Sequence, residues 1–315
     1  MHMNILNILI DRQSVQLRTH LRSGWRALVF VTILGSPWLL SQLLAPANRS
    51  PSPAPPLPSP AFDVGLVMIL SYLPPLAWVL FVSWGCLKRM EGEPLGTLGL
   101  GLFVGWKREI IRGLATGAAM TGIVVLLQLI ARGSQLGLNP YWFKAAVDPE
   151  ALRHSVTETF LTVALFTVAA LFEELLYRGY AFQTLLRGVH PVVPIVILST
   201  LFGLGHWGNP NRTVFSTANT VLAGVWLSVA YLRSRNLWYP TALHLSWNVT
   251  LGPIFGLPVS GRLLPAHPLL LTSSGSPVWL TGGSYGSEGG AAATVVLLGA
   301  IVVTSLMKGR SSQST

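Results

Sequence analysis

Charge is what this sequence lacks. Only 10% of its 315 residues are Asp, Glu, Lys or Arg, and 51% are hydrophobic, whereas an ordinary soluble domain is about 25% charged. That scarcity excludes a water-facing surface over most of the chain. Cysteine is almost missing too. Cys86 stands alone and can form neither an intrachain disulfide nor a thiolate metal cluster. There is no HExxH, and Ser199, Ser216 and Ser246 belong to no GxSxG elbow, so neither a zincin helix nor a nucleophile elbow at those serines is present. No long internal repeat is visible, which weighs against a transporter built from duplicated halves. The glycines at 96, 99, 101 and 105 follow no strand; they mark a re-entrant or interfacial segment rather than a nucleotide loop.

Long apolar runs are abundant. They fall at about 25–45, 64–87, 110–131, 157–180, 192–207, 214–232, 237–256 and 291–307. Most are long enough to cross a hydrocarbon core about 30 Å thick. None alternates like a barrel strand, and in lipid the backbone must satisfy its own hydrogen bonds, so the runs are helices. The fold class is all-α, a polytopic transmembrane bundle of about eight helices. Residues 1–24 mix Ile and Leu with Arg and Gln, the composition of an amphipathic interfacial segment. Residues 25–156 hold the N-terminal spans and a Pro-rich linker at 46–60, which cannot be helical. Ala45-Pro46-Ala47 resembles a signal-cleavage site, but the preceding apolar run exceeds an h-region of about 7 to 15 residues, so the first helix is expected to stay uncleaved. Residues 157–256 form a polar-dotted core, and 257–315 hold a Gly/Ser-rich flexible loop at 273–291 and the last span. Gly113 and Gly117 have the GxxxG spacing that lets helices approach closely.

The net charge of +10 reads as topology and not as a nucleic-acid surface. Alternate loops segregate it. One side carries Arg12, Arg18, Arg22, Arg26, Lys88, Arg89, Lys107, Arg108, Arg112, Arg178, Arg187, Arg233, Arg235, Lys308 and Arg310. The other carries Arg49, Arg132, Lys144, Arg153, Arg212 and Arg262. The positive-inside rule puts both termini in the cytoplasm.

Most of the 11 acidic residues, Glu158 and Glu288 among them, fall in loops or at their edges; Glu173 and Glu174 lie inside the fourth run. Five of the seven histidines, including His154 and His267, are also outside the spans, which leaves His206 and His244. Ionisable groups at membrane depth cost at least about 2.5–3.5 kcal/mol and mark sites by default. Glu174 and Arg178 are four apart, the spacing of an intrahelical ion pair. Glu173 points about 100° away from Glu174. A hairpin turning near 188–191 brings Glu173 and His206 to similar depth, about 21 Å from the turn. His244 and Asn248 share one helical face. A carboxylate and an imidazole can activate water, and a second imidazole with a carboxamide can stabilise an oxyanion, which is the equipment of an amide hydrolase. The plain alternative is an ion pair and packing histidines that hold a membrane scaffold together.

In this order on successive spans, Glu173-Glu174-x-x-x-Arg178, Phe202-x-x-x-His206 and His244-x-x-x-Asn248 resemble the three motifs of the CAAX-protease and bacteriocin-processing (CPBP, formerly Abi) family, which includes Rce1-like intramembrane endopeptidases. The resemblance covers about residues 157–252. It implies that Glu173 and His206 activate water, that His244 and Asn248 hold the oxyanion, and that Glu174 and Arg178 support the first helix. It implies a membrane-anchored or lipidated (CAAX-type) peptide substrate within the bilayer, no nucleic acid, and a bacterial plasma-membrane location. A glutamate-dependent mechanism with no required cofactor is favoured. The alternatives are zinc held by Glu173, His206 and His244, or a non-catalytic immunity or scaffold protein of the same family. The resemblance leaves open the membrane face to which the site opens.

Overall fold

The computed structural model describes residues 23–43, 61–264 and 267–307. The Pro-rich linker at 46–60 and the amphipathic segment up to residue 22 lie outside the described residues. All eight apolar runs are helical. They give α1 (Ser23–Leu43), α2 (Ala61–Cys86), α3 (Trp106–Ile130) and α4 (Pro149–Arg178), then a short α5 (Tyr180–Leu186). The chain continues through α6 (Val192–Gly205), α7 (Val214–Ser234), α8 (Trp238–Val249, prolonged by a π-turn at Thr250–Ile254) and α9 (Ala291–Leu306). Among the described residues, four segments are long and apolar enough to cross a membrane unaided: Gly65–Glu91, Trp106–Ile130, Pro149–Leu186 and Val214–Ser234. The chain is an integral membrane protein. Its outer faces fit that solvent, since Val196, Ile197 and Leu201 on α6 and Val295, Leu298 and Val302 on α9 are exposed, as lipid-facing positions must be.

Local sequence explains where α4 begins. Asp148 caps it by accepting from the N–H groups of Glu150 and Ala151 at 3.0 and 3.2 Å, and Pro149 occupies the first turn. The Gly113/Gly117 pair explains how α3 meets α8. A Cβ at Gly113 would lie 2.5 Å from the Tyr239 carbonyl oxygen, and one at Gly117 2.4 Å from that of Leu243. The contact is closed by Ser246 Oγ donating to the Leu114 carbonyl at 2.6 Å. This contact sets the depth and rotation of the helix that carries His244 and Asn248.

The loops gather at two ends. At one, the Leu237 N–H donates to Gly99 O at 3.0 Å, Gln183 Nε2 donates to Leu98 O at 3.0 Å, and Arg187 pairs with Glu91. At the other, Asn139 Nδ2 donates to Pro268 O at 2.8 Å and Asn211 Nδ2 to Ser284 O at 3.3 Å. A small antiparallel sheet also sits there, β1 (Ser134–Leu138) paired with β2 (Leu270–Ser274).

The segment at 273–291 corrects the expectation of a flexible loop. It folds into a helical turn at Val278–Thr281 and 3₁₀ turns at Gly283–Tyr285 and Ser287–Gly289, with Thr281, Tyr285 and Ser287 buried. Its glycines resemble a linker in composition, but Gly282, Gly283 and Gly286 take positive φ and make tight turns instead.

Candidate active site

A polar group that the fold takes out of water is costly without a partner, and the two neighbouring α4 carboxylates differ in the partners they find. Glu174 and Arg178 are fully buried, with Oε1 3.1 Å from Nη1. Arg178 Nη2 also donates to the Gly224 carbonyl on α7 at 2.8 Å, and its guanidinium lies 4.8 Å from the ring centre of Phe202 on α6. One arginine therefore ties three helices together. The same Glu174 Oε1 is 3.0 Å from His244 Nδ1. Glu174 thus does more than support its own helix: it fixes the ring of a histidine on α8.

Glu173, one residue earlier, faces a cavity. Its Oε2 is 3.9 Å from His206 Nε2 and 3.9 Å from His244 Nε2, and it has no hydrogen-bond partner among the described residues. His206 Nδ1 lies 2.8 Å from the Phe202 carbonyl oxygen. A carbonyl only accepts, so that nitrogen carries the hydrogen, and in the neutral ring the Nε2 lone pair points toward Glu173. Phe202 packs 4.8 Å from the His206 ring and 6.0 Å from that of His244, between the two imidazoles and the arginine. Asn248 lines the same cavity of about 470 Å³ as Glu173, His206 and His244. Apolar side chains, Met68, Phe166, Phe172 and Leu264 among them, share its walls with these polar groups, and Arg262 adds a cation. All six residues singled out in the sequence therefore meet in one place.

Residues 155–250 match the family model described as type II CAAX prenyl endopeptidase Rce1-like. The match is a likeness of this segment to the Rce1-like family and does not extend over the rest of the chain. No curated protein and no solved structure matches the chain. The Rce1-like segment runs from the second turn of α4 to the end of α8 and contains Glu173, Glu174, Arg178, His206, His244 and Asn248. Helices α1–α3 and α9 lie outside the match.

One residue at the site was missed by sequence reasoning and lies beyond the Rce1-like segment. Glu288, placed among loop acids, is partly buried against the α8 face. Its Oε1 accepts from Trp247 Nε1 at 3.0 Å, and its Oε2 accepts from the Ser260 N–H. Burial pushes its carboxyl above the usual range, although those two donors and the nearby His206 and His244 act in the opposite sense. It shares a second, small cavity with His206, His244 and Asn248. Nothing in the Gly/Ser-rich stretch around it carries a period that could have revealed an inward-facing acid. A cue does stand beside the third motif: Trp247, next to Asn248, has an indole N–H that must find an acceptor when buried.

Proposed function

We propose that this protein is an intramembrane endopeptidase in which Glu173 and His206 activate a water for attack on a peptide carbonyl of a membrane-associated, CAAX-type substrate. The observation that carries the reading is the unpaired Glu173 Oε2, 3.9 Å from two imidazole nitrogens. That separation is too long for a direct hydrogen bond, yet one water at about 2.8 Å from Glu173 and His206 would contact both at an angle near 90°. The water gives one proton to the Glu173 carboxylate and keeps the other, which it donates as a hydrogen bond to His206 Nε2, while its oxygen bonds to the carbonyl carbon. The resulting oxyanion accepts from Asn248 Nδ2 and from His244 Nε2–H, with His244 acting as an imidazolium between the Glu173 and Glu174 carboxylates. The C–N bond then breaks as Glu173 passes its proton to the leaving amine.

Zinc is the competing account of the same residues. Catalytic zinc takes three protein ligands and leaves one position open, and Glu173, His206 and His244 are of suitable types. The Glu173 Oε2 stands 3.9 Å from each imidazole nitrogen, longer than the edge of about 3.3–3.4 Å that a tetrahedral ion with bonds of about 2.0–2.1 Å sets between ligands. Among the described residues, the three ligand atoms that gather within 4.8 Å of one another belong to His154, Glu158 and His267. The spacing at Glu173 supports the metal-free reading. The apolar side chains on one part of the cavity wall, Met68, Phe166, Phe172 and Leu264, and the likeness to prenyl endopeptidases support a lipidated or membrane-anchored peptide as substrate. Clustering of Lys88, Arg89, Lys107, Arg108, Arg187, Arg233 and Arg235 at one end of the bundle supports a cytoplasmic position for that end and for both termini.

The test uses purified protein in liposomes with a panel of prenylated and membrane-anchored peptides, wild type beside Glu173→Ala and His206→Ala. Cleavage by wild type alone is expected. Equal cleavage by all three, or by none, would sink the proposal. Loss of activity in chelator, restored by zinc, would replace the metal-free mechanism with the zinc one.

A further inference from the structure

We propose that His154, Glu158 and His267 form a divalent-metal site, suited to zinc, that clasps the loop after α8 onto α4. The sequence placed these residues in or beside loops, but the fold brings them together. His154 and Glu158 are one helical turn apart on α4, and His267 arrives from the stretch that precedes β2. His154 Nε2 is 3.3 Å from Glu158 Oε1, and His267 Nε2 is 3.4 Å from Glu158 Oε2. A tetrahedral ion with bonds of about 2.0–2.1 Å has ligand-to-ligand edges of about 3.3–3.4 Å. Each histidine stands at that distance from one of the two Glu158 carboxylate oxygens, and one ligand atom from each residue lies within 4.8 Å of the other two.

The surroundings fix the ligands as metal sites require. The Tyr141 ring stacks on His267 at 3.6 Å between centroids and 3° between planes. Tyr141 is itself held by its N–H donating to Asn139 Oδ1 at 3.1 Å and its hydroxyl donating to Ala151 O on α4 at 3.3 Å. The Pro268 carbonyl, one residue beyond the ligand, accepts from Asn139 Nδ2 and Trp142 Nε1. The Glu158 carboxylate is nearly buried while His154 is half exposed, so a charge that needs compensation lies beside an open approach for the ion. Glu158 is beyond the first turn of α4, where the helix dipole would oppose a cation.

The clasp has a place in the working of the protein. Val259, Ser260, Arg262 and Leu264, on the loop that ends at His267, line the Glu173 cavity, and the Ser260 N–H holds Glu288. Pinning His267 to α4 would hold that wall in place. The metal site itself does not depend on the peptidase reading, because its test reads binding and melting and not cleavage.

Full-length protein, stripped of metal in detergent, would be titrated with zinc chloride. Bound metal would be measured by mass spectrometry after desalting, and the melting temperature followed. The expected result is one zinc per chain and a melting temperature raised by zinc, as a ligand of the folded state requires. Both should be lost in His154→Ala and His267→Ala and retained in a Glu173→Ala/His206→Ala double variant. His154 is half exposed, so its replacement should leave the fold intact. Failure of wild type to retain zinc would overturn the proposal. So would retention by the two single variants, or loss of zinc in the double variant.

Discussion

Glu174 Oε1 serves two partners, Arg178 at 3.1 Å and His244 at 3.0 Å, and that sharing defines the doubled glutamate. In sequence, Glu174 is half of an i, i+4 ion pair whose loss should mainly cost stability. In the structure it is also a positioning residue for His244. Glu174→Gln should therefore lower stability by about 3–5 kcal/mol, the usual cost of breaking a buried pair. It should also reduce kcat by about tenfold or more with little change in KM, because His244 loses the carboxylate that orients it. Cleavage kinetics on the folded fraction check this; an unaltered kcat would return Glu174 to a purely structural role. At this scale the sequence was most readable where charge is most expensive. Glu173, Glu174, His206 and His244 stand out because ionisable groups are rare in spans. Glu288 did not, because an acid in a loop is ordinary until the loop turns inward.

At the scale of elements, the α3–α8 contact and the 283–290 turns place the site. Gly117 has no room for a side chain, so Gly117→Leu should push α8 from α3, lower the melting temperature by an amount equivalent to about 1–3 kcal/mol, and reduce cleavage as His244 and Asn248 shift. Melting that falls with full activity in the folded fraction would show that the contact does not set the site. The 283–290 turns make a pH prediction through Glu288. Its folded-state carboxyl sits above its unfolded value because the fold partly desolvates it. The stability linked to its proton is complete below the unfolded value, about 4.3, and is lost as pH rises through the folded one. Wild type should therefore lose melting temperature over that window more steeply than Glu288→Gln, as thermal melts from pH 4 upward would show; parallel curves would refute it. The helices themselves were legible from apolar run length, and GxxxG announced the close contact. The β1–β2 pair was not legible, since five-residue segments such as Ser134–Leu138 carry too short a pattern to separate from loop. The glycine-rich turns concealed their order for a related reason, because the residue that permits tight turns also dominates linkers.

On the scale of the whole molecule, basic residues divide between the two ends that the loop contacts define, and the reading of their charge predicts orientation. In a Cys86→Ser background, a cysteine at Gly188 should react with membrane-impermeant reagent from the cytoplasmic side and one at Asn211 from the opposite side. The reverse pattern would invert the topology. All-α architecture, membrane embedding and the order of the three motifs could be read from the chain. The folding of the C-terminal segment over the site could not, because it depends on contacts such as Trp247–Glu288, 41 residues apart. The central claim is that Glu173 is the water-activating base, and the most direct measurement is single-turnover cleavage of a prenylated peptide in liposomes by Glu173→Gln. Cleavage should fall by about 10²–10⁴-fold with the melting temperature unchanged; a variant that folds and still cleaves at the wild-type rate would contradict the account.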